Sequence, residues 1–565
     1  MPISPPGQYK YNNIEYVLYF LNALVRQFHQ PTSRHGDFPI LPLFRLAGDS
    51  SFRVPLSHMN PVVKINSGSL YGIDAKEVHI EVGTSGGNLP HFDIVGLGDK
   101  AIDEARERVK SAIRQAGFQL SAMKIVVNLT PAYIQKQGTQ FDLGIALGLL
   151  ASQGDIPSPE SSLLYIGELS LNGDIQRITG ALPFVLLAKK LKLKGIVFPY
   201  DNLPEVASVT GIALYPVKHL KEVIQGFTTA QLPLPFSPVP FEPVLVVSEG
   251  TNFADIHGQE IAKRALEIAA AGGHNILLSG VPGAGKTLMA RSFVSIMPPL
   301  TEEEALELTQ IYSVASALGE DGGLVRTRPF RSPHHTTSLV GLIGGGSKPK
   351  PGEISLAHRG VLFLDEFAEF PRIMLESLRQ PLEDGHVSIA RASGSIRYPS
   401  RFTLIAAVNP CPCGYKGSRK RQCSCSPQIA EKYQKRLSGP ILDRIDLHVH
   451  VQEVEIEKLA IHRTQSQEDS KTIQARVIEA RKRQLKRLRE TGTHTNAELT
   501  SKQVKILCTL SDAAQAILLQ ATERMNLSTR VYFKMIKVAQ TIADLEGAES
   551  IQPSHISEAL SYRPS

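Results

Sequence analysis

Residues 275–290 read NILLSGVPGAGKTLMA, and this stretch predicts the fold of the chain around it. An apolar run leads into the pattern G-x-x-x-x-G-K-T, and a helix-compatible run follows. Between a strand and a helix this pattern predicts a phosphate-binding loop, because glycines let backbone N–H groups curl around phosphate. The residues expected to hold ATP are Gly280, Val281, Pro282, Gly283, Ala284, Gly285, Lys286 and Thr287. Lys286 should reach the β- and γ-phosphates, and Thr287 should hold Mg²⁺.

Two later apolar runs end in polar residues that suit hydrolysis. GVLFLDE, at 360–366, predicts a strand that delivers two acids to one place. Asp365 would complete the Mg²⁺ shell, and Glu366 would orient or activate the attacking water. FTLIAAVNP, at 402–410, predicts another strand, at whose end Asn409 would contact the γ-phosphate and the water. Together the three runs favour ATP hydrolysis over nucleotide binding alone.

Two arginines are candidates for further contacts with the nucleotide. In LSGPILDRIDLHV, at 437–449, Arg444 follows a Gly-Pro turn and would act as an arginine finger on a neighbouring subunit's ATP. The alternative is a local ion pair with Asp443 or Asp446. In NLSTRVYFKMIKVAQTIADL, Arg530 begins a helix and suits a lid arginine that reaches the phosphates.

Four of the five cysteines lie in CPCGYKGSRKRQCSC, at 411–425, which we call the cysteine loop. Two Cys-x-Cys pairs around a basic turn predict one tetrahedral, structural Zn²⁺ site. Its ligands would be Cys411, Cys413, Cys423 and Cys425. The alternative is a loop of reduced, unligated thiols. The loop lies between Asn409 and Arg444, so the site would brace the path between them. Its basic residues are further candidates for DNA contact: Lys416, Arg419, Lys420 and Arg421.

Composition limits the class of protein. The chain has 565 residues, a formal charge of +7, 42% hydrophobic and 20% charged residues. This size predicts two to four domains, and the charge is compatible with an anionic partner or with a solvated basic surface. We expect no membrane span and no secretory signal. Few, clustered cysteines favour a reducing cytoplasm.

Changes in composition and in hydrophobic pattern along the chain predict the domain boundaries. Residues 1–58 are an extension of uncertain role, and Met59 is a possible true start. The expected segments after it are an α+β domain at 59–228, a Pro-rich linker at 229–250, an ATPase core at 251–450 and a helical region at 451–565.

From residue 59 onward the chain resembles the ComM (YifB) family, within the magnesium-chelatase-like branch of AAA+ ATPases. The strings that carry the resemblance are LYGIDAKEVHIEV, PFRSPHHTTS (329–338), PGEISLAHRGVLFLDE (351–366), NPCPCG (409–414) and SGPILDRIDLHV (438–449). The resemblance implies an α/β fold: an AAA+ P-loop core with a helical lid, preceded by a Lon-protease-like (ribosomal S5 domain 2-like) α+β domain.

The same resemblance assigns roles to the polar residues. It implies that Asn409 is sensor 1, Arg444 a trans-acting finger and Arg530 sensor 2. It also implies a homo-hexameric ring that hydrolyses ATP and drives DNA branch migration in recombination and natural transformation.

The first domain departs from Lon where proteolysis would need a Ser–Lys dyad. The turn KQGTQFDLG, at 136–144, lacks a serine, and the position falls on Phe141 or Asp142. The lysine position falls on Pro183. We therefore expect no protease activity.

Two insertions are expected to face single-stranded or branched DNA. The loop at 327–352 carries Arg331, Lys348 and Lys350, and residues 385–402 predict a β-hairpin with Arg391 and Arg397 near its tip. The alternative is ordinary surface loops.

His334 and His335 are expected to order the first loop and not to bind metal. A basic helix at 476–489 is at least as compatible with a solvated face as with DNA. The competing function is a chelatase-type motor that remodels a protein partner.

Overall fold

The computed structural model describes residues 62–85, 91–121, 123–229, 234–244, 252–319, 321–347, 349–391, 394–418, 420–453 and 468–563. The extension at 1–58, Lys348, Arg419 and the side chain of Arg391 lie outside these described residues.

The described residues of the first domain form three small sheets together with helices. Its strands are β1 (Val63–Tyr71), β2 (Asp74–Ser85), β3 (His91–Val95), β4 (Lys124–Thr130), β5 (Leu163–Tyr165), β6 (Glu168–Leu169), β7 (Ile175–Gln176), β8 (Gly195–Pro199) and β9 (Ala213–Val217). Its helices are α1 (Lys100–Gln115), α2 (Asp142–Gln153), α3 (Ala181–Lys190), α4 (Leu203–Val206) and α5 (Leu220–Thr228). One sheet has the order β1-β2-β4-β3, and β5-β8-β9 form a parallel sheet.

Helix α2 is apolar and buried, as its sequence predicts, and it packs directly on strand β2. Two glycines allow this close approach. A Cβ at Gly144 would stand 2.5 Å from Cδ1 of Ile80, and one at Gly148 would stand 2.6 Å from Cγ2 of Val82. The first domain therefore has a dense core of its own.

The second domain is built on a parallel sheet with the order β11-β14-β17-β10-β18. Its strands are β10 (Ile276–Gly280), β11 (Phe330–Arg331), β12 (Gly344–Gly345), β13 (Lys350–Pro351), β14 (Val361–Leu364), β15 (His386–Arg391), β16 (Gly394–Pro399), β17 (Thr403–Val408) and β18 (Leu447–Val451). Its helices are α6 (Glu260–Gly272), α7 (Lys286–Ile296), α8 (Glu302–Ala315), α9 (Leu339–Ile343), α10 (Glu353–Leu356), α11 (Arg372–Ser377), α12 (Arg379–Asp384), α13 (Pro427–Gln434) and α14 (Gly439–Leu442). Strands β15 and β16 form the antiparallel hairpin that the sequence predicts.

The C-terminal region is helical and shares a hydrophobic core with the parallel sheet. Its helices are α15 (Ser470–Leu488), α16 (Ser501–Leu507), α17 (Asp512–Arg524), α18 (Thr529–Glu546) and α19 (Pro553–Ser561). Leu266 of α6, Val477 of α15 and Ile542 of α18 are buried in that core. Polar contacts add to it, because His274 lies between Thr541, at 2.8 Å, and Asp446, at 3.2 Å.

The first domain packs against helix α8 and the hairpin of the second. Gln310 of α8 donates to the carbonyl of Ile73 at 2.8 Å, and Ser313 bonds to the buried carboxylate of Glu205. A Cβ at Gly72 would stand 2.7 Å from Cγ2 of Ile396 in the hairpin. The turn between β1 and β2 therefore touches the hairpin directly. Within the described residues no helix is long and apolar enough to cross a membrane.

Candidate functional site

The phosphate loop, residues 280–287, joins strand β10 to helix α7 at the carboxyl edge of the sheet. Gly283 and Gly285 have φ values of 79° and 90°, in the left-handed region that favours glycine. No atom lies within 4 Å of the point where a Cβ would stand on either residue. The loop thus has an open concave face lined by backbone, which fits a chain of phosphates.

Lys286 is buried in this loop, where backbone oxygens and one side chain hold it. Its Nζ donates to the carbonyls of Gly280 and Val281, at 2.7 and 3.0 Å, and to Oδ1 of Asn409 at 3.1 Å. Burial lowers the pKa of Lys286, and the negative charge of Asp365 opposes that shift. The bond to Asn409 joins the phosphate loop to the end of strand β17.

The two acids after β14 lie beside the loop. Thr287 donates its hydroxyl to Oδ2 of Asp365 at 2.9 Å, so a hydroxyl and a carboxylate stand together where Mg²⁺ would need both. Glu366 has a φ of 49°, which is unusual for a residue other than glycine. Its Oε2 lies 3.6 Å from Nδ1 of His335, which in turn packs against the ring of His334.

The sheet order explains why these residues meet. Strands β14, β17 and β10 are adjacent and parallel, with Leu364 opposite Ala406 and Leu278 opposite Ala407. Their carboxyl ends therefore bring the acids, Asn409 and the phosphate loop to one edge.

Arg444 and Arg530 lie at the other edge of the same sheet. Asn275, just before β10, donates its side-chain amide to the carbonyl of Arg444 at 3.1 Å. Both arginines line a cavity of about 620 Å³, whose lining also includes Gly360 and Thr403 at the amino ends of β14 and β17. We call these two residues the arginine pair. Neither is beside the phosphate loop of its own chain.

The arginine pair shares one carboxylate. Arg444 and Arg530 each donate an Nη2 hydrogen bond to Glu383, on helix α12. The hydrogen bond from Arg444 is the main cause that lowers the pKa of Glu383. The local pairing of Arg444 with Asp443 or Asp446 is therefore not the arrangement found. Asp446 instead contacts His274, at 3.2 Å, and Lys534, at 3.8 Å.

The four clustered cysteines converge in space. Their Sγ atoms all lie within 4.8 Å of one another, and those of Cys411, Cys413 and Cys423 are 3.4–3.7 Å apart. Tetrahedral Zn²⁺ with Zn–S bonds of about 2.3 Å needs sulfurs roughly 3.8 Å apart. The donor set therefore fits zinc.

The cysteine loop also touches the phosphate loop. Gly414 has a φ of 83°, and a Cβ there would stand 2.5 Å from Cγ of Pro282. The second cysteine pair leads into helix α13, whose Gln434 donates to the carbonyl of Pro410 at 3.2 Å. A metal in the cysteine loop would thus stiffen a segment that rests on the phosphate loop.

The candidate DNA contacts differ in exposure, and some have partners inside the chain: Arg421 donates to the hydroxyl of Tyr415 at 2.8 Å, and Nζ of Lys420 lies 4.0 Å from Oε1 of Glu453. Lys350, Arg397, Lys416, Lys420 and Arg421 are exposed. Arg331 makes two short bonds to the carboxylate of Glu353, at 2.6 and 2.7 Å, so its charge is balanced within the chain.

Three arginines of the basic helix bond to other helices of the chain. Arg487 of α15 donates twice to Asp544, at 2.6 and 2.8 Å, Arg483 bonds the carbonyl of Asp544 and Arg481 bonds that of Ala270. These bonds hold α15 against α18 and α6, while Lys482, Lys486 and Arg489 stay exposed.

The first domain buries the residues on which the resemblance to Lon would place a Ser–Lys dyad. Phe141 and Asp142 are 1% exposed, and Pro183 lies buried in the first turn of α3. Asp142 makes an ion pair with Arg108, whose Nε lies 2.7 Å from Oδ2. Burial raises the pKa of Asp142 to about 6, against the pull of Arg108.

Glu383 and His335 are the site residues whose contacts sequence reasoning missed. Glu383 is 61 residues from Arg444 and 147 from Arg530 in the chain, and an acid in a short helix carries no motif. His335 lies in the string PFRSPHHTTS, which carries part of the family resemblance, but no spacing rule links His335 to Glu366.

These features define the class of protein: a P-loop ATPase of the magnesium-chelatase type. The family models for magnesium chelatase subunit ChlI match residues 80–202 and 252–459, and the model for its C-terminal part matches 467–563. AAA+ membership of this kind implies ATP hydrolysis with Mg²⁺.

Full-length relatives then narrow the family. The chain is 40% identical to competence protein ComM of Haemophilus influenzae, over 87% of this chain and 95% of that protein. It is 39% identical to YifB of Escherichia coli, over 88% and 96%. A shorter match, 29% identical over 119 residues, is to Lon protease 2 of Bacillus subtilis. The chain belongs to the ComM family.

Proposed function

We propose that the chain is an ATP-driven motor that works on DNA as a ring, and that branch migration in recombination or natural transformation is its task. The observation that carries the proposal is the separation of the phosphate loop from the arginine pair. Strand β10 lies between them, and its five-residue rise from Asn275 to Gly280 is about 16 Å. This separation supports a role for the arginine pair at a neighbouring subunit's nucleotide, and a hexameric ring would provide such a neighbour at every site.

Within one site, each residue has a distinct role in hydrolysis. The phosphate loop and Lys286 would bind and orient the phosphates, while Thr287 and Asp365 would hold Mg²⁺, which neutralises phosphate charge when bound. Glu366 would accept a proton from the attacking water. Asn409 would orient that water and hold the side chain of Lys286 in position. Arg444 and Arg530 would stabilise the charge that develops on the γ-phosphate of the adjacent subunit.

The proposal that DNA is the substrate rests on the family and on the charge of the protein surface. The full-length relative in H. influenzae is named a competence protein. The hairpin presents Arg397 to solvent, and Lys350 is exposed on the neighbouring strand β13. Contacts of this kind with phosphates are independent of base sequence, as a translocating motor requires. Action on chromosomal DNA would place the protein in the cytoplasm.

For the first domain we propose a Lon-like fold without proteolysis. The 29% identical match to Lon protease 2 supports the fold. The buried pair Arg108–Asp142 occupies the turn where Lon would carry its nucleophile, so this domain would serve as a scaffold for the ring or as a DNA contact.

The function is tested with ATPase and junction-migration assays on purified protein. Lys286→Ala should abolish hydrolysis, and Glu366→Gln should bind ATP but hydrolyse it at least a hundredfold more slowly. Wild-type ATPase activity should rise with branched or single-stranded DNA. An assembled ring that hydrolyses ATP but neither responds to DNA nor moves a junction would overturn the DNA assignment.

We further propose a structural Zn²⁺ in the cysteine loop, since four thiolates leave no open position for catalysis. Protein purified without added metal should contain about one zinc per chain. The double substitution Cys423→Ser and Cys425→Ser should remove it, with Cys508→Ser as the control. Wild-type protein that carries no zinc would contradict this assignment.

The competing function is a chelatase-type motor that remodels a protein partner, and the magnesium chelatase family models favour it. The two functions separate in one experiment. ATPase stimulation by porphyrin-handling partner subunits, without any response to DNA, would select the chelatase-type motor.

A further inference from the structure

Glu383 is the residue through which the arginine pair is held together. Its two carboxylate oxygens accept one bond each, Oε2 from Arg444 and Oε1 from Arg530. Two guanidinium groups carry like charge and repel at such short range unless an anion lies between them. The bridging carboxylate therefore sets both their spacing and their direction.

Other contacts fix the backbone that carries the arginine pair, and among the described residues the Arg530 guanidinium hydrogen-bonds to Glu383. Lys534, one turn after Arg530 on α18, donates to the carbonyls of Asp443 and Ile445 at 2.7 and 2.8 Å. Arg444 donates through Nη1 to the carbonyl oxygen of Pro440, four residues earlier, at 2.7 Å. Helix α18 and residues 443–445 are thus held side by side, and Glu383 aligns the guanidinium groups of Arg444 and Arg530.

Glu383 also lies next to the base of the hairpin. It is the penultimate residue of α12, and Gly385, with a φ of 67°, turns the chain into β15 at His386. Ser400, just after β16, donates its N–H to the carbonyl of Gly385 at 2.9 Å, which closes the hairpin base. A tilt of the hairpin is therefore transmitted directly to Glu383.

We propose that Glu383 is a positioning residue that aligns Arg444 and Arg530 for the neighbouring subunit's ATP and makes their alignment depend on the hairpin. This inference rests on the proposed function, because it assumes that the arginine pair acts in trans and that the hairpin contacts DNA. One carboxylate against two guanidiniums leaves a net positive charge of one at the pair, so a phosphate remains attracted while Glu383 stays in place.

The test compares Glu383→Gln with Asp384→Asn and Arg444→Ala in the full-length chain. The glutamine keeps the shape of Glu383 but removes its charge. Asp384 is the next residue, is also exposed and lines the same cavity, so its variant controls for the loss of one negative charge. Melting temperature, ring assembly, kcat and KM for ATP are measured, with and without single-stranded and branched DNA.

We expect Glu383→Gln to lower kcat roughly tenfold or more, as the loss of charge-assisted bonds would. Its KM for ATP, its assembly and its melting temperature should stay at wild-type values, and its stimulation by DNA should fall towards none. Asp384→Asn should behave as wild type.

Two outcomes would overturn the inference, and they are distinguishable. If Arg444→Ala is inactive while Glu383→Gln keeps wild-type kcat and DNA stimulation, Glu383 does not position the arginine pair. If Arg444→Ala itself keeps full activity in an assembled ring, the trans-acting arginine fails, and the proposed function fails with it.

Discussion

Arg108 and Asp142 illustrate how a single buried pair stabilises the first domain. Asp142 is 1% exposed and also accepts a bond from the backbone N–H of Leu169 at 3.3 Å. Burial raises the pKa of its carboxyl, and Arg108 supplies the charge that keeps it ionised near neutral pH. Removing one partner of a buried pair leaves an uncompensated charge, which costs more than the pair itself contributes.

Arg108→Ala should therefore destabilise the first domain by about 3–5 kcal/mol near pH 8. The folded pKa of Asp142, about 6, lies above its usual value of 3.8, so protonation favours the folded state. The loss in the variant should shrink as the pH falls towards about 6, because a neutral carboxyl no longer needs Arg108. Hydrogen exchange of helix α2 at pH 5 and pH 8 measures this.

Lys110→Ala is the matched control on the same helix. Lys110 pairs with the exposed Glu107 at 3.0 Å, a contact that contributes little to stability. Equal exchange rates in the two variants at pH 8 would rule out the buried pair as a stabilising element.

At the scale of elements, the cysteine loop and the phosphate loop meet at Gly414 and Pro282. The contact joins the segment after Asn409 to the segment that would hold the phosphates. Any tightening of the cysteine loop by metal would reach Pro282 through this one contact. We therefore expect the loop to influence nucleotide binding without contributing a ligand to it.

Gly414→Ala should lower kcat/KM for ATP several-fold, because a Cβ would stand 2.5 Å from Cγ of Pro282 and displace the phosphate loop. Gly417→Ala is the control: its φ of 84° imposes the same backbone strain, about 1–2 kcal/mol, but no atom lies within 4 Å of its Cβ. Steady-state ATPase kinetics and zinc content are compared. If the two variants have the same kinetics, backbone strain and not the Pro282 contact is responsible.

At the scale of the whole molecule, the proposed function requires two copies of the chain for a complete ATP site. One copy would contribute the phosphate loop, the acids and Asn409, and the other would contribute the arginine pair. The first domain is also connected to the ATPase core of its own chain, because its turn between β1 and β2 touches both helix α8 and the hairpin.

Lys286→Ala and Arg444→Ala, each inactive alone, should recover ATPase activity when mixed. In a mixed ring the intact phosphate loop of the Arg444→Ala chain meets the intact arginine of the Lys286→Ala chain. Mixing Lys286→Ala with Glu366→Gln is the control, since both changes damage the same half of the site. No recovery in rings that contain both variants would argue against a shared site.

The sequence by itself determined the local machinery. The phosphate loop, the strand that ends in Asp365 and Glu366, the strand that ends in Asn409 and the paired cysteines are each encoded within a few consecutive residues. Their conformations depend on neighbours in the chain, on glycine φ angles and on runs of apolar residues, so a short pattern is enough to predict them. The hairpin and the apolar helix α2 were predictable for the same reason.

Only the tertiary structure decided which groups lie together across long stretches of chain. The order of the sheet puts the arginine pair at the edge opposite the phosphate loop, and it brings Glu383 to both arginines. It also gives Arg331, a candidate for DNA contact, and Arg487 of α15 partners inside the chain. The physical reason is that a charged side chain acts on whatever lies within a few ångströms, and packing of distant elements sets that distance.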